Sequence, residues 1–243
     1  MAAPFISELL GRRSGRTQYP NICDKDSEQS VSISEHILDS LSLPTKSFVP
    51  SSSPGTRLEH AVEHHLSEEL PLLAEDADWD VRSKGNPISA FQQYAHLADL
   101  GEAIDDDETG TLRVVVGGDY LVKPDVTVGA GSPRRLHASV SCKWTLRSDR
   151  AQNARTEARG LLGHRKGRAP HIVVVTAEPL PSRIASLGFG TGDIDALYHV
   201  AFNELIEAVE DVGNESESSN LDVMVRGKRL LDYNDLAPTL ACS

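Results

Sequence analysis

An aspartate and a lysine that could hydrolyse a phosphodiester occupy two predicted strands in the middle of this 243-residue chain. Asp125 follows Pro124 in one strand, and Lys143 ends the segment Ser141-Cys142-Lys143 in the next. Because alternate residues of a strand share a face, Ser141 and Lys143 point together, and pairing of the strands would bring Asp125 beside Lys143. A carboxylate that holds a divalent metal ion, with a lysine that orients or deprotonates water, suits phosphodiester hydrolysis.

A second carboxylate, Glu157, lies fourteen positions after Lys143 on a predicted helix. Its spacing to Ala154 and Leu161 places it on the apolar face of that helix. An unpaired carboxylate that faces inward is costly, and a metal ion is a natural partner for it. Ordinary strand-end carboxylates and a surface lysine would have the same spacing, so the pattern by itself leaves both interpretations open.

The charge distribution is compatible with a polyanionic partner for the middle of the chain. The formal net charge is −12, which alone argues against nucleic-acid binding. Residues 134–168 nevertheless contain ten basic and two acidic residues, and a basic segment on an acidic body can attract phosphates. A solvated basic helix face would have the same composition, so charge alone does not decide between them.

The elements that must position these residues are predicted from hydrophobic periodicity and turn residues. Helices are expected at 1–13, 34–43, 56–73 (with Thr56 as N-cap), 87–100, 149–163 (after Ser148 as N-cap) and 193–212. Strands are expected at 112–116, 120–128, 137–146, 171–177 and 221–231, with turns at 102–110 and a polar loop at 215–220. This order predicts an α/β fold with a central mixed β-sheet flanked by α-helices. We expect a single domain, with an irregular arm over 1–55, a core over 56–212 and a C-terminal loop and strand over 213–243.

Composition argues against membrane-spanning and secreted classes of protein. The hydrophobic fraction is 39%, and no stretch approaches the roughly 18 consecutive apolar residues of a membrane span. The N-terminus lacks the pattern of a secretory signal. The three cysteines, Cys23, Cys142 and Cys242, are too scattered for a disulfide framework or a thiolate zinc site. We therefore expect a cytoplasmic protein.

The region around Lys143 resembles a known family over a long string of residues. The likeness is carried by Ser141-Cys142-Lys143-Trp144-Thr145-Leu146-Arg147-Ser148-Asp149-Arg150-Ala151-Gln152-Asn153, Arg155-Thr156-Glu157, Arg165-Lys166-Gly167, Pro170-His171-Ile172-Val173, Thr176-Ala177-Glu178-Pro179 and Gly190-Thr191-Gly192-Asp193-Ile194-Asp195. These segments resemble the NgoMIV family of type II restriction endonucleases, which cut sites with a CCGG core. In that family a serine replaces the usual acid of the PD-(D/E)xK motif and the acid moves to the next helix, giving Pro-Asp…Ser-x-Lys-x13-Glu. The resemblance covers about residues 112–212 well and the N-terminal arm poorly, and it implies the restriction-endonuclease-like PD-(D/E)xK fold.

The resemblance also implies roles for individual residues and a cofactor. Lys143 is the catalytic lysine, and Ser141 supports the site. The implied metal ligands are Asp125, the carbonyl of Cys142, Glu157 and a glutamate of the upstream helix. Glu59 fits that upstream position, with Glu63 one turn later as its competitor. The implied cofactor is Mg²⁺, for which Mn²⁺ can substitute, and the implied reaction is in-line attack of a metal-activated water that leaves 5′-phosphate and 3′-hydroxyl ends.

Base reading is assigned to the first turn of the helix that carries Glu157. Arginine donates two hydrogen bonds to guanine, and aspartate accepts one from cytosine, so Arg147, Asp149 and Arg150 match C·G pairs in the major groove. By resemblance these residues read the CCGG core and Arg183 reads the outer G·C pair. The expected site is GCCGGC, cut after the first G. A phosphate contact or a surface salt bridge stays open for Arg183.

The implied partners are double-stranded DNA and further copies of the chain. Cutting both strands of a palindrome needs two active sites related by a twofold axis, and the resemblance implies a tetramer built as a dimer of dimers. It also implies a cognate DNA methyltransferase, with no stable complex between the two enzymes. In the arm, Asp24 and Asp26 are candidates to complete recognition of the outer base pair.

Three other interpretations remain beside this one. His60-Ala61-Val62-Glu63-His64 spells the inverted zinc-protease motif, but no third ligand is evident and a solvated, histidine-rich helix face is favoured. A DNA-binding protein of the same fold that does not cut would not need the acids beside the lysine. A DNA-repair nuclease without sequence preference would not need the residues that match C·G pairs.

Overall fold

A six-stranded mixed β-sheet organises the chain, as the sequence predicts. The structure, a computed structural model, describes residues 2–14, 17–43, 47–48, 53–84, 87–116, 122–190 and 192–242. In spatial order, which is also chain order, the strands are β1 (Trp79–Ser83), β2 (Val126–Ala130), β3 (Arg135–Lys143), β4 (His171–Thr176), β5 (Ala196–His199) and β6 (Leu230–Asp232). A separate two-residue parallel pair joins Arg12–Arg13 to Ser47–Phe48.

Helices cover the sheet. They are α1 (Ile6–Leu9), α2 (Glu28–Ser40), α3 (Pro54–Leu73), α4 (His96–Asp105), α5 (Thr111–Val116), α6 (Ser148–His164), α7 (Pro181–Gly188), α8 (Phe202–Val212), α9 (Glu215–Arg226) and α10 (Leu236–Ala241). Short 3₁₀ turns occupy Ile88–Ala90, Gln92–Tyr94 and Tyr233–Asp235. Within the described ranges, no helix is both long enough and apolar enough to cross a bilayer.

Strand direction and register decide what meets at the edge of the sheet. β2 runs antiparallel to both of its neighbours, β1 and β3, whereas β3 to β6 run parallel. Val126 pairs with Val140, so Asp125, one residue before β2, falls beside the end of β3. Lys143 pairs with Thr176, so the residues that follow β3 and β4 emerge side by side. In parallel sheets this carboxyl-terminal edge is where ligands bind.

The middle of the sheet is buried on both faces. Val173, Val174 and Val175 of β4 are at most 3% exposed, and burying each such side chain contributes about 1.5–3 kcal/mol. A large apolar cluster joins the sheet to α2, α3 and α8, and a smaller one around Phe91 and Tyr94 joins it to α6. The continuous apolar run 171–177 is therefore a doubly covered strand, as predicted.

Several elements predicted from local pattern were wrong. Residues 112–116 form the helix α5, not a strand, and Val114 is exposed there. Residues 193–212 are not one helix, because Ala196–His199 is the buried strand β5 and α8 begins only at Phe202. The predicted polar loop 215–220 opens α9, whose N-cap Asn214 accepts from the Glu217 N–H. Only the last residues of the predicted strand 221–231 enter β6.

Other boundaries also moved. The region 87–100 contains two 3₁₀ turns before α4 begins at His96, α4 continues into the predicted turn 102–110, and α2 spans Glu28–Ser40 instead of 34–43. The strand expected over 120–128 begins at Val126 in the structure, with residues 120–121 lying outside the described ranges. The chain segments that form β1, α7 and α10 had no predicted element.

The N-cap of α3 is a different residue from the one predicted. Ser53, not Thr56, is the N-cap, and its hydroxyl accepts a hydrogen bond from the Thr56 N–H at 3.2 Å. Likewise, α6 starts at Ser148 itself, after Arg147 in extended conformation. An N-cap serine satisfies a backbone donor that would otherwise be unpaired.

Ser53→Ala is expected to lower the free energy of unfolding by about 1 kcal/mol, because the Thr56 N–H loses its acceptor. Thr56→Ala is the matched control and should cost less than half as much, since the Thr56 hydroxyl caps no backbone group in this helix. Urea denaturation monitored by circular dichroism measures both. A larger loss of unfolding free energy for Thr56→Ala than for Ser53→Ala would identify Thr56 as the N-cap, as the sequence predicted.

Candidate active site

The end of β3 and the start of β2 hold an ion pair between Lys143 and Asp125. Lys143 Nζ donates to Asp125 Oδ2 at 2.7 Å, and the Cys142 backbone N–H donates to the same oxygen at 2.8 Å. The two side chains are 13% and 21% exposed. The proximity expected from strand pairing is observed, and it follows from the Val126–Val140 register.

The third predicted member, Glu157, reaches this site from α6. Ser141 Oγ donates to Glu157 Oε2 at 3.1 Å. Ala154 and Leu161, on the same face of α6, are 2% and 1% exposed, so this face turns inward as the spacing predicts. Ser141 and Lys143 thus share the face of β3 that looks toward α6, whereas the Cys142 side chain packs in the apolar core.

The structure separates Glu59 from Glu63, which lie one turn apart on α3. Glu59 lines the same cleft as Asp125 and Lys143, and its side chain is 16% exposed. Glu63 instead accepts a short hydrogen bond from Ser83 and lies 3.5 Å from His60 Nδ1. Glu63 is therefore engaged by β1 and by its own helix, outside the cleft.

The electrostatics of the acids follow from burial and from one another. Burial raises the pKa of Glu59, and the nearby Asp125 carboxylate raises it further. Burial also raises the pKa of Glu157, against the opposing effect of Lys143. Burial acts to lower the pKa of Lys143, but Asp125 and Glu157 outweigh it and the net pKa is raised. Lys143 is therefore a cation at neutral pH, suited to binding and neutralising phosphate charge.

The donor set fits a hard cation completed by its substrate. Asp125, Glu59 and Glu157 offer carboxylate oxygens, and two of them have raised pKa values that a nearby cation would lower. Among the described residues, no group of three His, Cys, Asp or Glu side chains converges closely enough to ligate one ion by itself. Mg²⁺ is commonly held by one or two carboxylates together with substrate phosphate and water, so the residues present fit such an ion.

A single cleft of about 620 Å³ joins these groups to potential base readers. Arg147, just before α6, lines it and is exposed. Arg183 of α7 lines it as well, and its Nη2 donates to Asp24 Oδ2 at 2.5 Å. Asp26 lies aside and is exposed; its backbone N–H binds Asp24 Oδ1 at 3.2 Å. The arm segment with Asp24 is thus part of the cleft wall.

A comparison with known proteins decides the family. A family model described as NgoMIV restriction enzyme matches residues 4–134 and 129–242. The chain is also 38% identical to the type II restriction enzyme NgoMIV of Neisseria gonorrhoeae, over 90% of this chain and 88% of the relative. The chain belongs to the NgoMIV family of type II restriction endonucleases. It is therefore a DNA-cutting hydrolase with a restriction-endonuclease-like fold, and enzymes of this type generally use a divalent metal ion.

The family match extends through the N-terminal arm, where the sequence resemblance was weak. The structure gives a reason for including the arm, because Trp144 Nε1 donates to the Asn21 carbonyl at 3.2 Å and Arg13 donates to the Cys23 carbonyl at 2.7 Å. These contacts hold the segment before Asp24 against the end of β3. For this restriction endonuclease, the arm is part of the cleft.

Three arginines of the basic segment found in the sequence are engaged outside the cleft. Arg134 pairs with Asp80 at 2.7 Å, Arg159 pairs with Asp193 at 3.0 Å, and Arg155 binds carbonyls at the end of α7. The basic residues that line the cleft come from separate parts of the chain: Arg13, Arg57, Lys143, Arg147 and Arg183. Positive charge at the cleft is assembled by folding, not by one stretch of sequence.

Two of the predicted base readers cannot be compared with the structure. Asp149 and Arg150 belong to the first turn of α6, but their side chains lie outside what the structure describes.

The histidines of the zinc-protease motif lie on the exposed side of α3. His60 Nδ1 is 3.5 Å from Glu63 Oε2, and His64 Nδ1 is 3.2 Å from Glu68 Oε2. Each histidine thus has a carboxylate partner of its own.

Sequence reasoning missed Glu178, which directly follows β4. Its residue is fully buried, and its carboxylate accepts from the Leu146 N–H at 2.7 Å and the Leu180 N–H at 3.2 Å. It also missed Glu217 of α9, which accepts from the Ser182 N–H and hydroxyl at 2.8 Å each and so fixes the start of α7. The available signal was an acid at the end of a buried strand adjacent to the lysine strand.

Glu59→Gln is expected to slow DNA cleavage by about 100-fold or more, since a cleft carboxylate that can hold a cation loses its charge. Glu63→Gln is the matched control on the same helix and should retain most of the activity. Both are measured as initial cleavage rates of a supercoiled plasmid. The reverse ranking would make Glu63 the functional acid.

Glu157→Gln is expected to abolish cleavage without lowering stability in metal-free buffer. A carboxyl with a raised pKa binds its proton more tightly in the folded state, so ionised Glu157 destabilises the fold above that pKa. The variant should therefore be slightly more stable than the native protein at pH 8, and the difference should vanish as the pH falls toward 4.5, the ordinary value for glutamate.

Thermal unfolding at several pH values, together with cleavage assays, tests this expectation. The exposed Glu207 of α8 provides the control, because Glu207→Gln should change neither stability nor cleavage. A clear loss of stability in Glu157→Gln at pH 8 would contradict the expected sign.

Proposed function

We propose that this restriction endonuclease recognises GCCGGC and cuts each strand after the first G, using Mg²⁺ and leaving 5′-phosphate and 3′-hydroxyl ends. The observation that carries the proposal is the shared cleft, in which Glu59, Asp125, Lys143 and Glu157 lie together with Arg147 and Arg183. A nuclease without sequence preference needs the first four residues. Charged side chains suited to guanine in the same cleft support a sequence-specific enzyme.

Lys143 is the catalytic lysine in this proposal. It is a protonated ammonium at neutral pH, fixed at 2.7 Å from Asp125 and largely shielded from water. It binds an oxygen of the scissile phosphate and balances the negative charge that develops there as the P–O bond breaks. Because the ammonium carries its proton, it orients the attacking water and does not act as the base.

The acids and the serine complete the catalytic group. Asp125, Glu59, Glu157 and the Cys142 carbonyl would hold Mg²⁺, which when bound stabilises phosphate charge and makes water more acidic; Mn²⁺ can take its place. Ser141 keeps Glu157 oriented through its 3.1 Å hydrogen bond. Ionised carboxylates are needed for this role, so the cleavage rate falls as the pH is lowered.

Base reading is divided between two helices in this proposal. Arg147, Asp149 and Arg150 at the start of α6 read the CCGG core through guanine O6 and N7 and the cytosine amino group. Arg183 of α7 reads the outer guanine, and Asp24, 2.5 Å from Arg183, accepts from the outer cytosine. An arginine and an aspartate side by side match the two bases of one G·C pair.

The palindrome sets the assembly. Two copies of the active site must face the two strands across a twofold axis, and a homotetramer that holds two DNA sites is the state we propose. In the cell, the enzyme acts in the cytoplasm alongside a DNA methyltransferase that modifies the same sequence, without a stable complex between them.

Digestion of plasmids with one and with two GCCGGC sites in Mg²⁺ tests the proposal, followed by sequencing of the ends. We expect discrete cuts at these sites, faster cleavage of the two-site plasmid, and loss of at least about 100-fold in rate for Lys143→Ala, since its charge is needed as the bond breaks. A chelator should stop cleavage, and added Mn²⁺ should restore it.

Each alternative outcome contradicts a different part of the proposal. Cuts at other CCGG-containing sites would refute the role of Arg183 at the outer pair. A smear of fragments would indicate a nuclease without sequence preference. Equal rates on the two plasmids would refute the two-site tetramer, and full activity in Lys143→Ala would remove the catalytic lysine.

A further inference from the structure

The buried carboxylate of Glu178 contacts the two segments that carry the proposed base readers. Leu146, whose N–H it binds at 2.7 Å, immediately precedes Arg147. Leu180, whose N–H it binds at 3.2 Å, is the residue before α7, the helix of Arg183. Its Oε1 also lies 3.9 Å from Arg183 Nη1. The side-chain partners described for Glu178 therefore all lie in base-reading segments.

Burying the carboxylate of Glu178 costs free energy unless its hydrogen bonds compensate for the lost hydration. A fully buried carboxylate loses its hydration, and only charge-assisted hydrogen bonds compensate for that loss. Glu178 follows β4 and stands at the same sheet edge as Lys143, because Thr176 pairs with Lys143. The Ala177 N–H also donates to the Trp144 carbonyl at 3.2 Å, so the chains leaving β3 and β4 are held together at this point.

We propose that Glu178 is a positioning residue that couples the core-reading segment at Arg147 to the outer reader Arg183, so that the enzyme binds its full site as one unit. This inference rests on the proposed base-reading roles of the two arginines. In its ionised form, one oxygen of Glu178 accepts from Leu146, while the other accepts from Leu180 and faces Arg183. A neutral side chain cannot satisfy both N–H groups and attract the guanidinium.

The charge state of Glu178 changes with pH near neutrality, so the pH dependence of DNA binding gives a second readout. Burial raises the pKa of Glu178 to about 7. The groups that face it are Arg183 and, beyond it, Asp24, with His199 on its backbone carbonyl and Glu217 behind Ser182. The Arg183 contact lowers the pKa of Asp24, and burial lowers that of His199 to about 4, so between pH 6 and 8 Asp24 stays ionised and His199 stays neutral.

Binding of duplexes in a Lys143→Ala background, which keeps the DNA uncut, tests the inference by fluorescence anisotropy in Mg²⁺. One duplex contains GCCGGC and the other a scrambled sequence of the same composition. At pH 8, Glu178→Gln should weaken binding of the GCCGGC duplex by about 10- to 100-fold, the effect of losing one charge-assisted hydrogen bond, and leave binding of the scrambled duplex unchanged.

The pH dependence separates positioning from simple support of the fold. In the parent, preference for GCCGGC should fall as the pH drops from 8 to 6 and Glu178 takes up a proton; in Glu178→Gln this part of the pH dependence should be lost. Glu178→Asp, which keeps the charge on a shorter arm, should show a smaller loss that still depends on pH. Asp195→Asn is the control, because Asp195 accepts a hydrogen bond from the Ile172 N–H at 2.8 Å, at the opposite end of β4 from Glu178.

The possible results distinguish this inference from the proposed function. A parent that does not prefer GCCGGC over the scrambled duplex overturns both. A parent that does, with Glu178→Gln unchanged, overturns the role of Glu178 alone. Equal weakening of both duplexes, with a lowered melting temperature and the same pH dependence as the parent, assigns Glu178 to structural support and also overturns the inference.

Discussion

The contact between Lys143 and Asp125 is the constraint on which the rest of the site depends. It joins the end of β3 to the residue before β2, and it exists because these strands are antiparallel with Val126 opposite Val140. A one-residue slip would turn Lys143 to the other face of the sheet. The ion pair keeps the lysine charged despite burial, and the charged lysine in turn moderates the cost of bringing Glu157 close. The strand register therefore determines both the ion pair and the charge states of the side chains around it.

Around that pair, two of the helices that contribute to the cleft are tied to each other. The helix that carries Glu157 begins directly after Arg147, and its Arg155 binds the Ser186 and Leu187 carbonyls at the end of α7, the helix of Arg183. A shift of either helix would therefore be transmitted to Glu157, Arg147 and Arg183. In the function we propose, cleavage depends on correct reading of the site, and a rigid link between these residues serves that need.

Local pattern predicted the elements in which buried residues are continuous or recur at a regular spacing. The run 171–177 and the helix 56–73 were recognised because one is apolar throughout and the other repeats at helical spacing. The same reasoning failed at 193–212, where a four-residue buried strand and a helix follow each other without a clear break in polarity. It failed again at 112–116, which form part of the helix α5, with Leu112 and Val114 exposed. Periodicity cannot distinguish these cases, since short apolar runs adopt whichever element their neighbours can cover.

The sequence by itself determined the chemistry of the site and its order along the chain. The aspartate, serine, lysine and glutamate follow at a spacing that strand alternation and helix periodicity translate into shared faces. The long string of residues around Lys143 carries the resemblance to the family. Only the tertiary structure decided between Glu59 and Glu63 as the cleft acid, brought Asp24 to Arg183 across 159 positions, and buried Glu178 beneath the segments that carry Arg147 and Arg183. These outcomes depend on which elements pack together. Long-range packing comes from the total burial of apolar surface, to which no single residue pattern gives access.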